Sequence, residues 1–134
     1  MREIKFRAWD KEEKRMYYVG GFHHILEDYY TEPERQFEPD IQFVYLLEES
    51  PRTCQKVWQH PASDVELMQF TGLTDRQGKE IYESDVVRWD YKGIDYIRIV
   101  TWDADQAMFL PNDMKNDVEV IGNIYENPEF VNVN

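Results

Sequence analysis

Three small groups of side chains hold the chemistry that this chain could carry. His23 and His24 are followed four residues later by Glu27 and Asp28. On a helix, His23–Glu27 and His24–Asp28 are both neighbours one turn apart, and imidazole paired with carboxylate at that spacing can hold a divalent metal. His60 is the remaining imidazole that could serve as a third ligand, and no pattern places it nearby. The same spacing equally describes the polar face of an amphipathic helix, where each pair adds roughly a few tenths of a kcal/mol. Cys54, the single cysteine, has Arg52 and Lys56 two residues away on either side, and cations held close would favour its thiolate. No histidine adjoins it in sequence, and a lone cysteine more often behaves as a small buried hydrophobe.

The third group is acidic. Asp75, Arg76, Glu83 and Asp85 fall within the segment from Phe70 to Asp90, FTGLTDRQGKEIYESDVVRWD. With 27 Asp and Glu in the chain, two carboxylates at catalytic distance are expected by chance, so counting them does not argue for a glycosidase-type pair. Phosphate-cradling glycine loops, nucleophile elbows and zinc signatures are missing. The expectation is therefore no catalytic residue, no cofactor, and a metal only at His23, His24, Glu27 and Asp28.

The elements that would position these groups read mostly as strands. Within the acidic segment, Phe70–Leu73 and Lys79–Tyr82 are β-compatible runs around Thr74-Asp75-Arg76-Gln77-Gly78. Asp75 suits the first turn position, where its carboxylate accepts a backbone N–H bond, and Gly78 supplies the positive φ that closes a longer hairpin loop. Asp85-Val86-Val87-Arg88-Trp89 follows as a strand rich in β-branched and aromatic residues. At the N-terminus, Ile4 to Trp9 alternates apolar and polar, Asp10 to Lys14 turns, and Arg15 to Val19 returns. Gly20-Gly21 is expected to break that strand. Apolar residues Phe22, Ile25, Leu26, Tyr29 and Tyr30 then fit one short helical stripe. Residues 31–40 read as a loop with Pro33 and Pro39, Ile41 to Leu47 as a strand, and residues 50–63 as irregular with a short strand. Toward the C-terminus, Gly93 to Trp102 reads as the strongest strand, Gln106 to Leu110 returns, and Val118 to Ile121 forms another before Gly122-Asn123 breaks it. Short strands at this spacing suggest a small barrel.

Trp-Asp occurs at Trp9-Asp10, Trp89-Asp90 and Trp102-Asp103, with spacings that exclude a propeller repeat, whose period is about 40. Each Trp is expected to close a strand on the core and each Asp to open the following turn. Tyr91, Tyr96, Trp89 and Trp102 could build a base-stacking platform. Such platforms work beside basic residues, and only Arg88, Lys92 and Arg98 are at hand, so these aromatics are assigned to the core or to a subunit interface.

Composition bounds the function class. The 134 residues carry a net charge of −12, with 9 basic and 14 acidic side chains in residues 1–66 and 6 and 13 in residues 67–134. Acidity spread over both halves disfavours direct nucleic-acid binding, which relies on a basic footprint. It serves solubility, or alternatively imitates a nucleic acid and occupies a basic groove on another protein. No apolar run is long enough to span a membrane, and the charged start MREIKFRAWDKEEKR lacks a signal-peptide core. The single cysteine excludes an intramolecular disulfide. A cytoplasmic protein is expected.

Three blocks carry a resemblance to a known family: REIKFRAWDKEEKRMY (2–17), LMQFTGLTDRQGKEIYESDVVRWD (67–90) and EVIGNIYENPEF (119–130). In order and spacing they resemble the YopX family of small phage and prophage proteins, over about 50 of the 134 residues. Residues 20–63 correspond to the part that varies in that family. One departure is Ser84, where the family pattern has Gly before Asp85. The resemblance implies a mostly β fold with an SH3-like barrel in the C-terminal part and a phage or prophage origin, and it brings no catalytic residues. The combined expectation is an N-terminal hairpin with a variable middle region and one short helix over residues 1–66, and a small SH3-like barrel over residues 67–134. The expected activity is that of a non-enzymatic module that binds protein, its own copies first. An acidic inhibitor of a basic host or phage protein is the alternative, and a metal-dependent enzyme using His23, His24, Glu27 and Asp28 is the rival of a different class.

Overall fold

A computed structural model describes residues 3–23, 43–47, 57–112 and 117–133. The described residues are mostly β, in antiparallel strands with two single-turn 3-10 segments, and the chain divides into two units: Ala8–Leu67, and Met1–Arg7 together with Met68–Asn134.

In the unit Ala8–Leu67, the chain enters along β1 (Phe6–Asp10), turns through Lys11–Lys14, and returns in β2 (Arg15–His23). β3 (Phe43–Leu47) pairs with β2, β4 (Val57–Pro61) pairs with β3, and the chain leaves along the start of β5 (Val65–Thr74). The turn after β1 is dictated by Asp10. Its buried carboxylate accepts the N–H groups of Glu12 and Glu13 at 2.9 and 3.0 Å, and its carbonyl accepts that of Lys14 at 2.9 Å. Alternate strand positions point to one face, and that face gathers Ala8, Tyr17, Val44, Leu46 and Val65 into a core. Burial of each Val or Leu side chain contributes about 1.5–3 kcal/mol relative to exposure.

In the second unit, β5 continues into a hairpin with β6 (Glu80–Tyr82), followed by β7 (Asp85–Tyr91), β8 (Ile94–Ile99), the short pair β9 (Thr101–Asp103) and β10 (Met108–Leu110), and β11 (Glu119–Asn123). The sheet order is β11-β7-β8, with β9 and β10 pairing with each other. Ile81, Val87, Val100 and Val118 form the buried core, with Trp89, Phe109 and Val120 packed against it.

Several expectations change. Phe22 and His23 are not the start of a helix. They extend β2 and pair with Val44 and Phe43, and residues 24–30 lie outside the described residues. Gly20-Gly21 does not end the strand either. It accommodates a bulge where the β2–β3 register shifts, and a Cβ at Gly20 would meet the Leu47 side chain at 3.1 Å. The same holds for Gly122-Asn123, which lies inside β11 at a second bulge. The alternating run from Ile94 to Trp102 is two strands rather than one. Val100 leaves the ladder because its N–H donates to the Asp85 carbonyl and its C=O accepts from Ser84 N–H, both at 2.8 Å. That break separates β9–β10 from β11-β7-β8, and among the described residues no sheet closes into a barrel.

Candidate functional site

The acidic residues Asp75, Glu83 and Asp85, with Arg76, lie in the second unit, where they stabilise loops. Asp75 is buried, and its Oδ1 accepts the N–H groups of Gln77 and Lys79 at 2.8 and 2.9 Å while Oδ2 accepts that of Val120 at 3.1 Å. Gly78 closes the turn with φ +83°. Burial alone would raise the Asp75 carboxyl, but the N–H bonds from Val120, Lys79 and Gln77 outweigh it and hold the group below its ordinary value. Arg76 is exposed and pairs with Glu119 at 2.6 Å. Glu83 Oε1 accepts the Gln69 N–H at 2.8 Å. Asp85, 1% exposed, accepts from the Arg7 guanidinium at 2.6 Å and from the Tyr82 N–H at 2.8 Å. Burial pushes its carboxyl above the ordinary value, a larger effect than the lowering by Arg7 and the Tyr82 N–H. Asp75 and Arg76 lie at the loop end of the β5–β6 hairpin and Glu83 and Asp85 beyond its other end, and each has its partners elsewhere in the fold.

The other candidates are not gathered by the described structure. His23 is on β2 and His60 on β4, both by backbone alone. His24, Glu27, Asp28 and Cys54 with its neighbours Arg52 and Lys56 lie outside the described residues. Among the described residues, no set of three or more His, Cys, Asp and Glu side chains is arranged to hold a metal. No helix among them is long and apolar enough to cross a membrane.

The three Trp-Asp pairs divide. Every Asp opens a turn as expected: Asp10 as above, Asp90 by accepting the Gly93 N–H at 3.3 Å, and Asp103 by accepting those of Asp105 and Gln106 at 2.9 and 3.2 Å. Trp9 is buried and Trp89 half-buried, but Trp102 is 45% exposed and is not a core residue.

That exposed ring belongs to a feature the sequence pattern does not reveal. An open cleft of about 530 Å³ is lined on one side by Thr71, Gly72 and Leu73 and on the other by Trp102, Met108, Phe109 and Pro111. The Leu73 wall exists because β5 bulges. Phe70 pairs with Tyr82 and Thr74 with Glu80, so extra residues bow outward, Gly72 adopts φ +89°, and Thr71 Oγ1 takes the Leu73 N–H at 3.2 Å. The opposite wall is the β9–β10 hairpin, where Trp102 packs edge-on against Phe109 with ring centroids 4.9 Å apart. Leu73 and Trp102 stay 38% and 45% exposed. Its lining is mostly apolar, and it opens broadly to solvent.

A second apolar feature is the β7–β8 hairpin. Lys92 and Gly93 both take positive φ, 53° and 79°, which matches the two-residue turn that twists with its strands. Along one face, Val87 is fully buried, Trp89 and Tyr96 stack at 5.5 Å, and Tyr91 faces Ile94 at the tip with 57% and 56% of their surfaces exposed. The apolar ladder thus runs from the core out into solvent, with Lys92 Nζ lying 5.2 Å from the Tyr91 ring centroid.

The fold has solved counterparts. The crystal structure of protein EF1440 from Enterococcus faecalis is similar with a TM-score of 0.61 at 22% identity, over 98% of this chain and 99% of that one. No curated protein is significantly similar to the chain. A family model described as YopX protein matches residues 5–132, nearly the whole length, and the chain belongs to the YopX family.

Proposed function

We propose that this is a non-enzymatic, cytoplasmic, phage- or prophage-encoded protein that acts by binding protein, in the first place further copies of itself. The observation that carries this reading is the β7–β8 ladder, whose apolar face leaves the core at Val87 and ends on Tyr91 and Ile94 in solvent. Two large apolar side chains directly opposite each other on a hairpin tip are a surface that gains by being covered. The buried carboxylates Asp75 and Asp85 support the same reading from the other side, since both are committed to backbone N–H groups or to Arg7. Light scattering after size exclusion tests it. Wild type is expected to exceed the mass of one 16.2 kDa chain at micromolar concentration, and Ile94→Ser to shift it toward monomer. Monomer only, for wild type, would end the proposal.

The net charge of −12, carried by both units, favours a second reading as an acidic inhibitor of a basic host or phage protein. A host-lysate pull-down that enriches basic nucleic-acid-binding proteins and loses them with added salt is expected on that reading, and a clean pull-down removes it.

A further inference from the structure

The cleft between the β5 bulge and the β9–β10 hairpin leaves the Trp102 ring and the Leu73 side chain in solvent. Resting on the second reading above, that this acidic chain binds a basic protein, we infer that the cleft is where that partner docks. Its occupant is an extended segment of the partner that carries arginine or lysine beside apolar side chains.

The lining sets the apolar half of that requirement. All the side chains around the cleft are neutral, and an occupant gains by placing apolar groups against Leu73, Met108, Phe109 and Pro111. Trp102 sets the cationic half. Its ring meets Phe109 edge to face and is 45% exposed, and an indole face is the best side-chain surface for a cation. Lys5, Arg7, Arg15, Lys92 and Arg98 lie over the rings of Phe70, Tyr82, Tyr17, Tyr91 and Tyr96, and Trp102 is not among the rings so covered by the described residues. The cleft opens broadly, which suits a length of chain, whereas a small ligand needs walls around most of its surface.

Charge selects a basic occupant. From Thr101 to Leu110 the hairpin carries Asp103 and Asp105 and no cation. The turn that bears them is flanked by Trp102 and Ala107, both of which line the cleft. The cations by the opposite wall are matched: Arg76 pairs with Glu119, Lys5 with Glu80, and Lys79 faces buried Asp75. Asp103 and Asp105 therefore set the sign at the rim, in a chain whose net charge is −12. Complementary charge at a rim fixes orientation and speeds encounter. A second copy of the same acidic chain meets the opposite condition.

Fluorescence anisotropy on the full chain tests this, with a labelled peptide Gly-Arg-Leu-Leu-Arg-Gly as the probe. Wild type is expected to bind it, more weakly as salt is added. Trp102→Ala and Leu73→Gln are each expected to weaken binding about tenfold, as loss of an apolar anchor does, and Asp105→Asn about two- to threefold, as loss of one exposed charge does. A peptide of equal charge with serine for leucine is expected to bind about tenfold less tightly than the probe. Circular dichroism confirms that each variant is folded. No binding by wild type overturns the inference. So does a folded Trp102→Ala or Leu73→Gln variant that binds like wild type, or a serine peptide that binds as well as the probe. The lysate pull-down decides the underlying reading separately. If wild type and folded Trp102→Ala capture the same basic proteins, the cleft is wrong and the acidic-partner reading stands.

Discussion

Arg7 and Asp85 meet across 78 residues of sequence, with the guanidinium donating to the carboxylate at 2.6 Å and both side chains almost wholly removed from solvent. The remaining donors and acceptors are also used. Arg7 Nε points to Met68 Sδ at 3.4 Å, its guanidinium carbon lies 4.7 Å from the Tyr82 ring centroid, and the second Asp85 oxygen holds the Tyr82 N–H. The pair therefore ties the incoming N-terminal strand to the β6–β7 corner.

Removing one partner leaves the other charge buried and unpaired, which costs about 3–5 kcal/mol. Asp85→Ala and Arg7→Met are each expected to lower stability by that amount in urea denaturation. The double variant Arg7→Met/Asp85→Leu should cost far less than the sum of the two. Its residual loss is about 1–3 kcal/mol, from the Tyr82 N–H left without an acceptor. Additive losses would show that the two residues act independently.

Ser84 sits immediately before Asp85 with φ +70°, a left-handed conformation in which an L side chain is strained by about 1–2 kcal/mol. Its main chain is fixed there because its N–H donates to Val100 and its carbonyl accepts from Ile124. Both bonds are independent of the side chain. Ser84→Gly is expected to keep them and to raise the urea midpoint, by about 0.5–1 kcal/mol once glycine's extra unfolded-state entropy is subtracted. A loss of stability would mean that the hydroxyl contributes more than the strain.

The legible parts of this fold are those encoded within a few residues. The Asp75–Gly78 turn, the strands on either side of it and the three Asp-opened turns depend on local donors and acceptors, and the pattern announces them. Arg7 gives no such sign, because its partner lies 78 residues away and nothing near it differs from an ordinary polar strand position. The end of β8 is equally silent. Val100 only lengthens an apolar, β-branched run, and it leaves the ladder because Ser84 and Asp85 claim its backbone. The cleft follows from that break and from the β5 bulge, two departures from regular pairing that apolar periodicity does not encode. Gly20 and Gly122 mislead for a related reason: bulges need close approach of another group, and glycine supplies it without ending the strand.

Gly122 makes that approach measurable. A Cβ there would lie 2.3 Å from Asn127 Oδ1, the atom that accepts the Asn123 N–H at 3.2 Å. Gly122→Ala must push that side chain aside and forfeit the bond, a loss of about 1 kcal/mol from the bond with some further strain in the turn. In an Asn127→Ala background the obstruction and the bond are both gone. The same substitution should then be nearly silent, and a double-mutant cycle by urea denaturation reads the difference.

Asp75 and Asp85 are both buried carboxyls, yet they should respond oppositely to acid. The Asp75 carboxyl is held below its ordinary value of 3.8. Its contribution is therefore complete above that value and is lost as pH falls through the lower, folded-state one. Asp85 is raised above 3.8, so the folded state prefers it protonated, and ionisation weakens the fold as pH rises from that value through the raised one. Asp75→Asn keeps one acceptor oxygen but cannot accept from Gln77, Lys79 and Val120 with both atoms, which costs about 1–3 kcal/mol at neutral pH. Its deficit against wild type should shrink toward acid, whereas any deficit of Asp85→Asn should grow there. Urea midpoints of the three proteins from acid to neutral pH, at unchanged m-value, check both slopes. Parallel curves would show that neither carboxyl titrates differently on folding.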